Sequence, residues 1–178
     1  HLAHHDALTG LPNRFLFGDR LDEAITRAHR HNSTLALMFL DLNKFKPIND
    51  TFGHAVGDKI LIAIGERLKS TTRASDTVSR VGGDEFVVIL EEVNSEDQVC
   101  KIAEKIISTI NQPIEIDADQ HSLSVSIGIS IFPDHTKEAD KLIHLADLAM
   151  YEAKRGSQKS YKIFESDFTQ VTEFKVFD

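Results

Sequence analysis

Residues 80–86 read Arg-Val-Gly-Gly-Asp-Glu-Phe, and this run lies between two short apolar stretches at 77–81 and 86–90. Apolar, β-prone stretches on either side of a glycine-rich turn predict a β-hairpin. The hairpin would carry two neighbouring carboxylates, Asp84 and Glu85, at its tip. The rest of the chain can be interpreted outward from this acidic turn.

The two glycines give the turn its particular chemistry. Gly82 and Gly83 tolerate the positive φ that a tight hairpin needs, and they allow a flat or charged ligand to lie against the backbone. Glycine and aspartate are also the commonest turn residues for local reasons, so the motif alone is equally typical of a plain turn. A plain turn and a site for a metal-bound nucleotide therefore both remain open at this point.

A second acidic segment favours the functional interpretation. Residues 35–40 form an apolar run of strand length that leads directly into Asp41. A carboxylate at the exit of a buried strand, beside a carboxylate on a hairpin turn, is how palm-like polymerases and cyclases hold two metal ions for phosphoryl transfer. Mg²⁺ takes oxygen ligands and keeps waters and substrate phosphates in its shell, so Asp41 and Asp84 need no His or Cys partners.

Composition is that of one ordinary domain. The chain has 178 residues, 41% of them hydrophobic and 27% charged, which is enough for one sizeable core and short for two. Its 20 basic and 28 acidic residues give a net charge of −8, which argues against a nucleic-acid surface because that would need a basic stripe. A small anionic substrate held by metal and a few lysines remains compatible.

Targeting features are lacking in this sequence. Cys100 is the single cysteine, so no internal disulfide is possible and a reducing cytoplasm is expected. No apolar run approaches the roughly 20 residues of a membrane span, and no signal segment is visible. We interpret the chain as a cytoplasmic module excised from a longer protein, and leave open whether that protein is anchored in a membrane.

Hydrophobic periodicity predicts alternating helices and strands. The helix that ends near residue 110 starts with a capping-box pattern, Ser95 with Gln98, and Pro113 follows its end. Residues 123–131 alternate strictly, with apolar residues on one face and mostly serine on the other. The order implies an α+β fold with a central, largely antiparallel sheet covered by helices. The predicted helices cover residues 15–31, 57–70, 95–110 and 139–155, and the predicted strands cover 35–40, 77–81, 86–90, 114–116, 123–131 and 161–164.

The sequence resembles the GGDEF family of bacterial diguanylate cyclases. The resemblance spans roughly residues 5–161 and implies the family's palm-like, nucleotidyl cyclase-like architecture for a domain at 1–165, followed by a tail at 166–178. It rests on five blocks in family order and at family spacing: Asp6 to Arg14, Asp41 to Asp58, Gly82 to Phe86, Ser124 to Gly128, and Ala146 to Lys154.

The resemblance implies roles for the acidic residues. Asp41, the backbone carbonyl of Leu42 and Asp84 match metal ligands, for two Mg²⁺ or Mn²⁺ ions per active site. Glu85 matches an essential acid assigned to metal coordination or to activating the ribose 3′-hydroxyl of GTP. The implied reaction is in-line attack of that hydroxyl on an α-phosphorus, with pyrophosphate leaving.

The resemblance also implies a substrate site. Asn49 and Asp58 match guanine readers, and a carboxylate suits the paired N–H donors of guanine, so Asp58 favours GTP over ATP. The alternative for Asp58 is a helix N-terminal carboxylate stabilised by the macrodipole; His54 either borders the base or packs structurally. The remaining matches are Lys44, Phe45 and Lys46 in a loop that cradles phosphates, the glycines Gly82 and Gly83, and Lys154 as a triphosphate-binding lysine.

Two departures from the family pattern lie close to the site. Gln158 stands where family members commonly carry a cation, which puts triphosphate binding by this segment in doubt. Asn43 stands where the family often has Asp, which removes one negative charge beside the metals.

Residues 73–76, Arg-Ala-Ser-Asp, match the family's inhibitory RxxD site, because Arg73 lies at the family's offset from the signature. Arginine offers a planar fork for phosphate and for the Hoogsteen edge of guanine, and Asp76 accepts from base N–H groups. The alternative is a local i,i+3 ion pair worth about 0.3 kcal/mol. The resemblance implies product feedback by cyclic di-GMP.

Partners follow from the reaction. One site holds one GTP and the product joins two, so two domains must face each other in a C2-related homodimer, which can be transient. The full-length protein is expected to carry sensor or phosphodiesterase domains. Three hypotheses stay open: an active cyclase, a catalytically silent GTP-binding regulatory domain, and a cyclic di-GMP receptor.

Overall fold

A computed structural model describes residues 3–156 and 159–166. The described chain forms five helices and seven strands. The helices are α1 (Arg14–His31), α2 (Phe45–Phe52), α3 (His54–Thr71), α4 (Glu96–Asn111) and α5 (Ala139–Arg155). The strands are β1 (Leu35–Asn43), β2 (Thr77–Gly82), β3 (Glu85–Leu90), β4 (Ile114–Ile116), β5 (Asp119–His121), β6 (Ser124–Phe132) and β7 (Tyr161–Ile163).

The central sheet has five strands in the order β2-β3-β1-β6-β7. Its pairs are antiparallel except for β6 and β7, which run parallel at one edge. This confirms the predicted α+β fold with a mostly antiparallel sheet and helices on both sides. Among the described residues, no helix combines the length and apolarity that crossing a membrane requires.

Side chains of β1 alternate between two cores. Met38 and Leu40 belong to the core beneath α3 and α4, while Leu37 and Phe39 belong to the core beneath α1 and α5. Successive strand residues point to opposite faces, so Asp41 continues the second set and faces α5. The strand thus delivers a carboxylate to the same side of the sheet as the last helix.

Local signals explain the helix ends. The Asn13 side chain accepts a hydrogen bond from the N–H of Leu16 and caps α1, and Ser95 caps α4 by accepting from the N–H of Gln98. The Gln98 side chain in turn accepts a hydrogen bond from the N–H of Asn94. The predicted capping box therefore closes on the residue before the N-cap Ser95 rather than on Ser95 itself. The predicted inward residues of α3, Ile60, Leu61, Ile64 and Leu68, are all buried.

Most of the serine face of β6 is buried, like its apolar face. Ser126 and Ser130 are at most 3% exposed, and the Ser130 hydroxyl donates to the carbonyl of Leu142 on α5. Between them lies Gly128, where an added Cβ would come within 2.0 Å of backbone atoms of Ala146 and Met150. The small side chains therefore allow α5 to lie directly on the sheet.

Several predicted boundaries were wrong. The strand predicted at 35–40 continues to Asn43 because it pairs with β6 over its whole length. The helix predicted from Gly57 begins at His54, and α2 was not predicted at all. Ile114–Ile116 lies outside the central sheet and pairs instead with Asp119–His121 in a small hairpin that was also missed.

Candidate active site

Cross-strand pairing brings the two acidic segments together. Asp41 on the central strand lies directly opposite Glu85 on β3. The backbone N–H of Leu42 donates to the carbonyl of Asp84 at 3.3 Å. Asp41 is 9% exposed, and Asp84 and Glu85 are half-buried. The pairing of β1 with β3 therefore brings Asp41 to the same end of the sheet as Asp84 and Glu85, which lie 43 and 44 positions further along the sequence.

The hairpin turn is tighter than predicted. Gly82 pairs with Glu85, so only Gly83 and Asp84 form the loop. Of the two glycines that tolerate a positive φ, only Gly83 adopts one, of 43°, because Gly82 belongs to β2. A Cβ built on either glycine would meet no atom within 4 Å, so the backbone at the tip is open to a ligand.

Asp41 was predicted after the end of its strand, and this was wrong, because β1 keeps its pairing through Asn43. The residue lies within the sheet, where its carboxylate forms an ion pair with Lys154 of α5. Asn43, the departure from the family pattern, donates to the hydroxyl of Ser124 and accepts from that of Ser126. The neutral amide thus ties the end of β1 to β6.

Carboxylate crowding changes the pKa values at this site. Burial raises the pKa of Asp84, and the charge of Asp41 raises it further. Burial also raises the pKa of Glu85, with Asp41, Asp147 and Asp84 adding to the effect and Arg14 opposing it. These groups are held close together at a cost in folded-state energy, which is typical of sites that bind a cation or move protons.

A divalent metal fits this donor set. Among the described residues, no three His, Cys, Asp or Glu side chains converge as a complete metal cage. Mg²⁺ needs fewer protein ligands because substrate phosphates and waters complete its shell. Carboxylate oxygens of Asp41, Asp84 and Glu85 and the carbonyl of Leu42 are hard ligands of the right kind, and the Lys154 ammonium on Asp41 marks a place where positive charge is already accommodated.

Residues 44–46, predicted to cradle phosphates with their backbone N–H groups, form one loop residue followed by the first turn of a helix, and their role in phosphate binding stays a prediction. Lys44 adopts the left-handed conformation with φ of 61°, and helix α2 begins at Phe45. Lys46 is exposed in the first turn, whereas the Phe45 ring is buried against α3. Backbone N–H groups in the first turn of a helix have no intrahelical acceptor, so the segment still offers donors.

The predicted base readers lie on α2 and α3. The Asn49 Oδ1 atom is buried with no hydrogen-bond partner among the described residues, and a Cβ added at Gly57 would come within 1.7 Å of it. His54 and Asp58 are exposed. Because α3 begins at His54, Asp58 lies beyond the first turn, so the macrodipole explanation for its carboxylate loses its basis.

Arg73 and Asp76 form the anticipated ion pair, at 3.2 Å, but the pair is more than a surface contact. The Asp76 side chain is 2% exposed and accepts from the backbone N–H groups of Arg73 and Glu91. The Arg73 guanidinium also donates to the Glu91 carbonyl and is 48% exposed. Asp76 therefore fixes the loop, and Arg73 is the member that can reach a ligand.

A cleft of about 520 Å³ adjoins this loop, and it carries three cationic side chains: Arg20, Lys69 and Arg73. A concentration of positive charge around one concave surface suits an anionic ligand. The cleft is lined by none of Asp41, Asp84 and Glu85, so it is separate from the candidate active site.

Sequence reasoning missed three charged residues near the hairpin. Asp147 on α5 acts on the pKa of Glu85, and desolvation together with Asp41 raises its own pKa. Arg14 donates to the carbonyl of Val81 at 3.3 Å. Arg80 donates to the Gly83 carbonyl at 2.9 and 2.8 Å and pairs with Asp6. All of them lie in or beside the family-like blocks, but nothing in the sequence shows which strand or helix they will face.

We expect the metal-free chain to become less stable as pH rises from about 4 towards neutrality. The folded pKa values of Asp84 and Glu85 are raised, so their contribution is full below the ordinary values of 3.8 and 4.5 and is lost as pH rises through the folded values. Urea unfolding at several pH values in EDTA measures this. Glu85→Gln should reduce the pH dependence, and an identical dependence in both proteins would contradict the account.

Comparisons with known proteins agree with this geometry. The family described as "Diguanylate cyclase, GGDEF domain" matches residues 3–160. The chain is 44% identical over 174 residues to the diguanylate cyclase TpbB of Pseudomonas aeruginosa. This alignment covers 97% of this chain and 40% of that protein. A solved structure of the GGDEF domain of TpbB alone matches with a TM-score of 0.92 and 42% identity, covering 96% of this chain and 99% of that one.

Two further relatives are a bifunctional protein and a domain solved with a ligand. The bifunctional diguanylate cyclase/cyclic di-GMP phosphodiesterase MucR of P. aeruginosa is 44% identical over 165 residues, covering 93% of this chain and 24% of that protein. The GGDEF domain of DgcB from Caulobacter crescentus with its coiled coil, solved in complex with c-di-GMP, matches with a TM-score of 0.80 and 26% identity, covering 91% of this chain and 85% of that one. The chain thus spans less than half the length of its curated relatives TpbB and MucR.

Proposed function

The chain belongs to the GGDEF family of diguanylate cyclases, and on this premise we propose that it condenses two molecules of GTP into cyclic di-GMP and two pyrophosphates. The observation that carries the proposal is the direct pairing of Asp41 with Glu85 across β1 and β3, next to Asp84 at the open turn. This arrangement would offer hard oxygen ligands to the metal ions that accompany one bound triphosphate, and it leaves the glycine backbone accessible.

The proposed step exchanges one bond to the α-phosphorus for another. The 3′-oxygen of one GTP loses its proton and forms a bond to the α-phosphorus of the other, the bond from that phosphorus to the α,β-bridging oxygen breaks, and pyrophosphate leaves with the electron pair. The same step with the two nucleotides in exchanged roles closes the ring and releases the second pyrophosphate. Two bound Mg²⁺ or Mn²⁺ ions would supply charge neutralisation along this path. Glu85, which lies opposite Asp41 on the neighbouring strand, would hold a metal or accept the 3′-hydroxyl proton.

Lys154 has a second role in this proposal. Its ammonium now neutralises Asp41, and the same side chain can turn to the triphosphate when a metal takes over that carboxylate. Gln158, where the family commonly has a cation, lies outside the described residues, so its effect on triphosphate binding stays a prediction. The cation that α5 contributes to triphosphate binding in this proposal is Lys154.

The test is to incubate the purified chain at high concentration with GTP and Mg²⁺ or Mn²⁺ and to separate the nucleotides by chromatography. Cyclic di-GMP that is absent with Glu85→Ala supports the cyclase. Measurable GTP or cyclic di-GMP binding without any product would instead support the alternative, a catalytically silent regulatory domain.

Replacing Asp58 by Ala is expected to reduce kcat/KM for GTP about 10- to 100-fold while leaving the poor use of ATP unchanged, because the two N–H donors of guanine lose their acceptor. Competition between GTP and ATP measures the preference. Lys59→Ala is the matched control, since Lys59 is the next residue and pairs with Asp117 at 3.0 Å. Retained guanine preference in Asp58→Ala would remove the base-reading role.

Product feedback is proposed at Arg73 and the cationic cleft beside it. DgcB, a family member, was solved with c-di-GMP bound, and the positive charge of the cleft supports a similar ligand here. We expect Arg73→Ala to weaken inhibition by cyclic di-GMP at least about tenfold. Inhibition curves measure this, with Lys105→Ala as control. Asp76→Ala is a poor test because that carboxylate holds the loop together.

Two domains are needed for the proposed reaction. We propose a C2-related, transient homodimer with the hairpins apposed. In the full-length protein, a sensor or phosphodiesterase partner would set how often two domains meet, as the fused architecture of MucR suggests.

A further inference from the structure

A further cleft borders the hairpin tip. It measures about 650 Å³ and is bounded by the first turn of α1 and by the end of β2. Its lining includes Gly82 and Gly83 but none of the carboxylates Asp41, Asp84 and Glu85. The cleft therefore adjoins the domain's own substrate site at the hairpin, and Arg14, which lines it, also acts on the pKa of Glu85.

The two arginines of this cleft differ in how far their guanidinium groups are already hydrogen-bonded. Arg80 is 15% exposed and is fully engaged, with Asp6 at 2.9 Å and with the Gly83 carbonyl. Arg14 is exposed, and only its Nε atom is occupied, by the Val81 carbonyl. Within residues 3–156 and 159–166, Arg14 forms no ion pair. Its terminal nitrogens are thus the cationic donors that the cleft can offer to a ligand.

An aromatic side chain completes the cleft. Phe15 is 60% exposed, and its ring lies 5.2 Å from that of His4. A planar cation beside an exposed aromatic ring is suited to a nucleotide, because the guanidinium fork binds phosphate and the ring packs on a sugar or base. The open glycine backbone next to both allows close approach.

We propose that this cleft receives the nucleotide held by a facing copy of the domain, with Arg14 binding its α-phosphate. The inference rests on the proposed function. In an isologous encounter the hairpins meet, so the flank of one hairpin faces the substrate carried by the other. Negative charge spreads over the phosphoryl oxygens during transfer, and an arginine supplied from a second molecule is an effective way to stabilise it. Arg14 thereby couples substrate occupancy to dimer formation.

The experiment uses 3′-deoxy-GTP, which lacks the attacking hydroxyl, together with Mg²⁺. In sedimentation equilibrium, this nucleotide should tighten dimerisation of the parent chain about tenfold or more and that of Arg14→Ala less than about twofold. Nucleotide affinity at dilutions where the chain is monomeric should be the same for both proteins. Turnover of GTP should fall about 100-fold in Arg14→Ala. Arg30→Ala, a change of an exposed arginine near the end of α1, should behave like the parent.

Three results would overturn the inference. They are nucleotide-linked dimerisation that persists in Arg14→Ala, loss of nucleotide affinity in the monomeric variant, and a parent whose dimerisation ignores the nucleotide. Equal melting temperatures of the parent and Arg14→Ala would exclude misfolding of the variant. If Arg14→Ala is unstable, Arg14→Lys, which keeps the charge but lacks the guanidinium fork, replaces it in the same measurements. A parent that binds 3′-deoxy-GTP but makes no cyclic di-GMP from GTP would overturn the proposed function itself, which separates the two failures.

Discussion

Replacing Glu85 by Gln is expected to abolish cyclic di-GMP synthesis, by at least about 10³-fold, while making the metal-free chain more stable. Activity falls because the amide neither binds a divalent metal well nor accepts the 3′-hydroxyl proton. Stability rises because one of several crowded, half-buried carboxylates loses its charge. The gain should appear as a higher Tm, since each 1 kcal/mol of stability raises the Tm of a domain of this size by about 2–4 °C.

The measurements are nucleotide chromatography and thermal unfolding in EDTA at pH 7. Glu66→Gln, an exposed carboxylate on α3, is the matched control and should change neither quantity. A Glu85→Gln protein that is inactive but less stable would show that the carboxylates are not in electrostatic conflict. An active one would remove Glu85 from the mechanism.

Replacing Gly128 by Ala is expected to destabilise the fold by about 3 kcal/mol or more and to lower Tm by about 6–12 °C. The added Cβ would lie 2.0 Å from the Ala146 carbonyl oxygen and from the Met150 nitrogen. Both are backbone atoms of α5, so the whole helix must move away from the sheet. Since α5 carries Lys154 to Asp41, activity should fall as well.

Gly18→Ala provides the control for that experiment. Gly18 lies inside α1, and a Cβ there would meet no atom within 4 Å. Alanine has the higher helix propensity, so this variant should be stabilised by up to about 1 kcal/mol. Thermal and urea unfolding of both variants measures the difference. Similar effects from the two substitutions would contradict the close packing of α5 on β6.

The sequence predicted the sheet well because its strands carry strong local signals. Residues 86–90 form a short, mostly β-branched run, residues 123–131 alternate between apolar residues and mostly serine, and the glycine turn marks the hairpin. α2 was missed because it has only eight residues, includes Pro47 and follows a lysine in the left-handed conformation. Its formation depends on Phe45 packing on α3, which is a tertiary contact.

The candidate site shows the same limit. Asp41, Asp84 and Glu85 were found from their position at strand ends and from the resemblance, and the structure brings them together. Arg14 and Asp147 were missed because their relation to Glu85 depends on how α1 and α5 pack on the sheet. Asp76 matched a ligand-binding motif, but only the fold shows that its carboxylate is buried and holds its own loop.

The most direct test of the central claim is ³¹P NMR of one reaction mixture containing the chain, GTP and Mg²⁺. We predict that the three GTP resonances disappear while one phosphodiester resonance and one pyrophosphate resonance grow, with one phosphodiester phosphorus for every two of pyrophosphate. Unchanged GTP in the presence of saturating chain, or pyrophosphate without a phosphodiester signal, would contradict the assignment of this domain as a diguanylate cyclase.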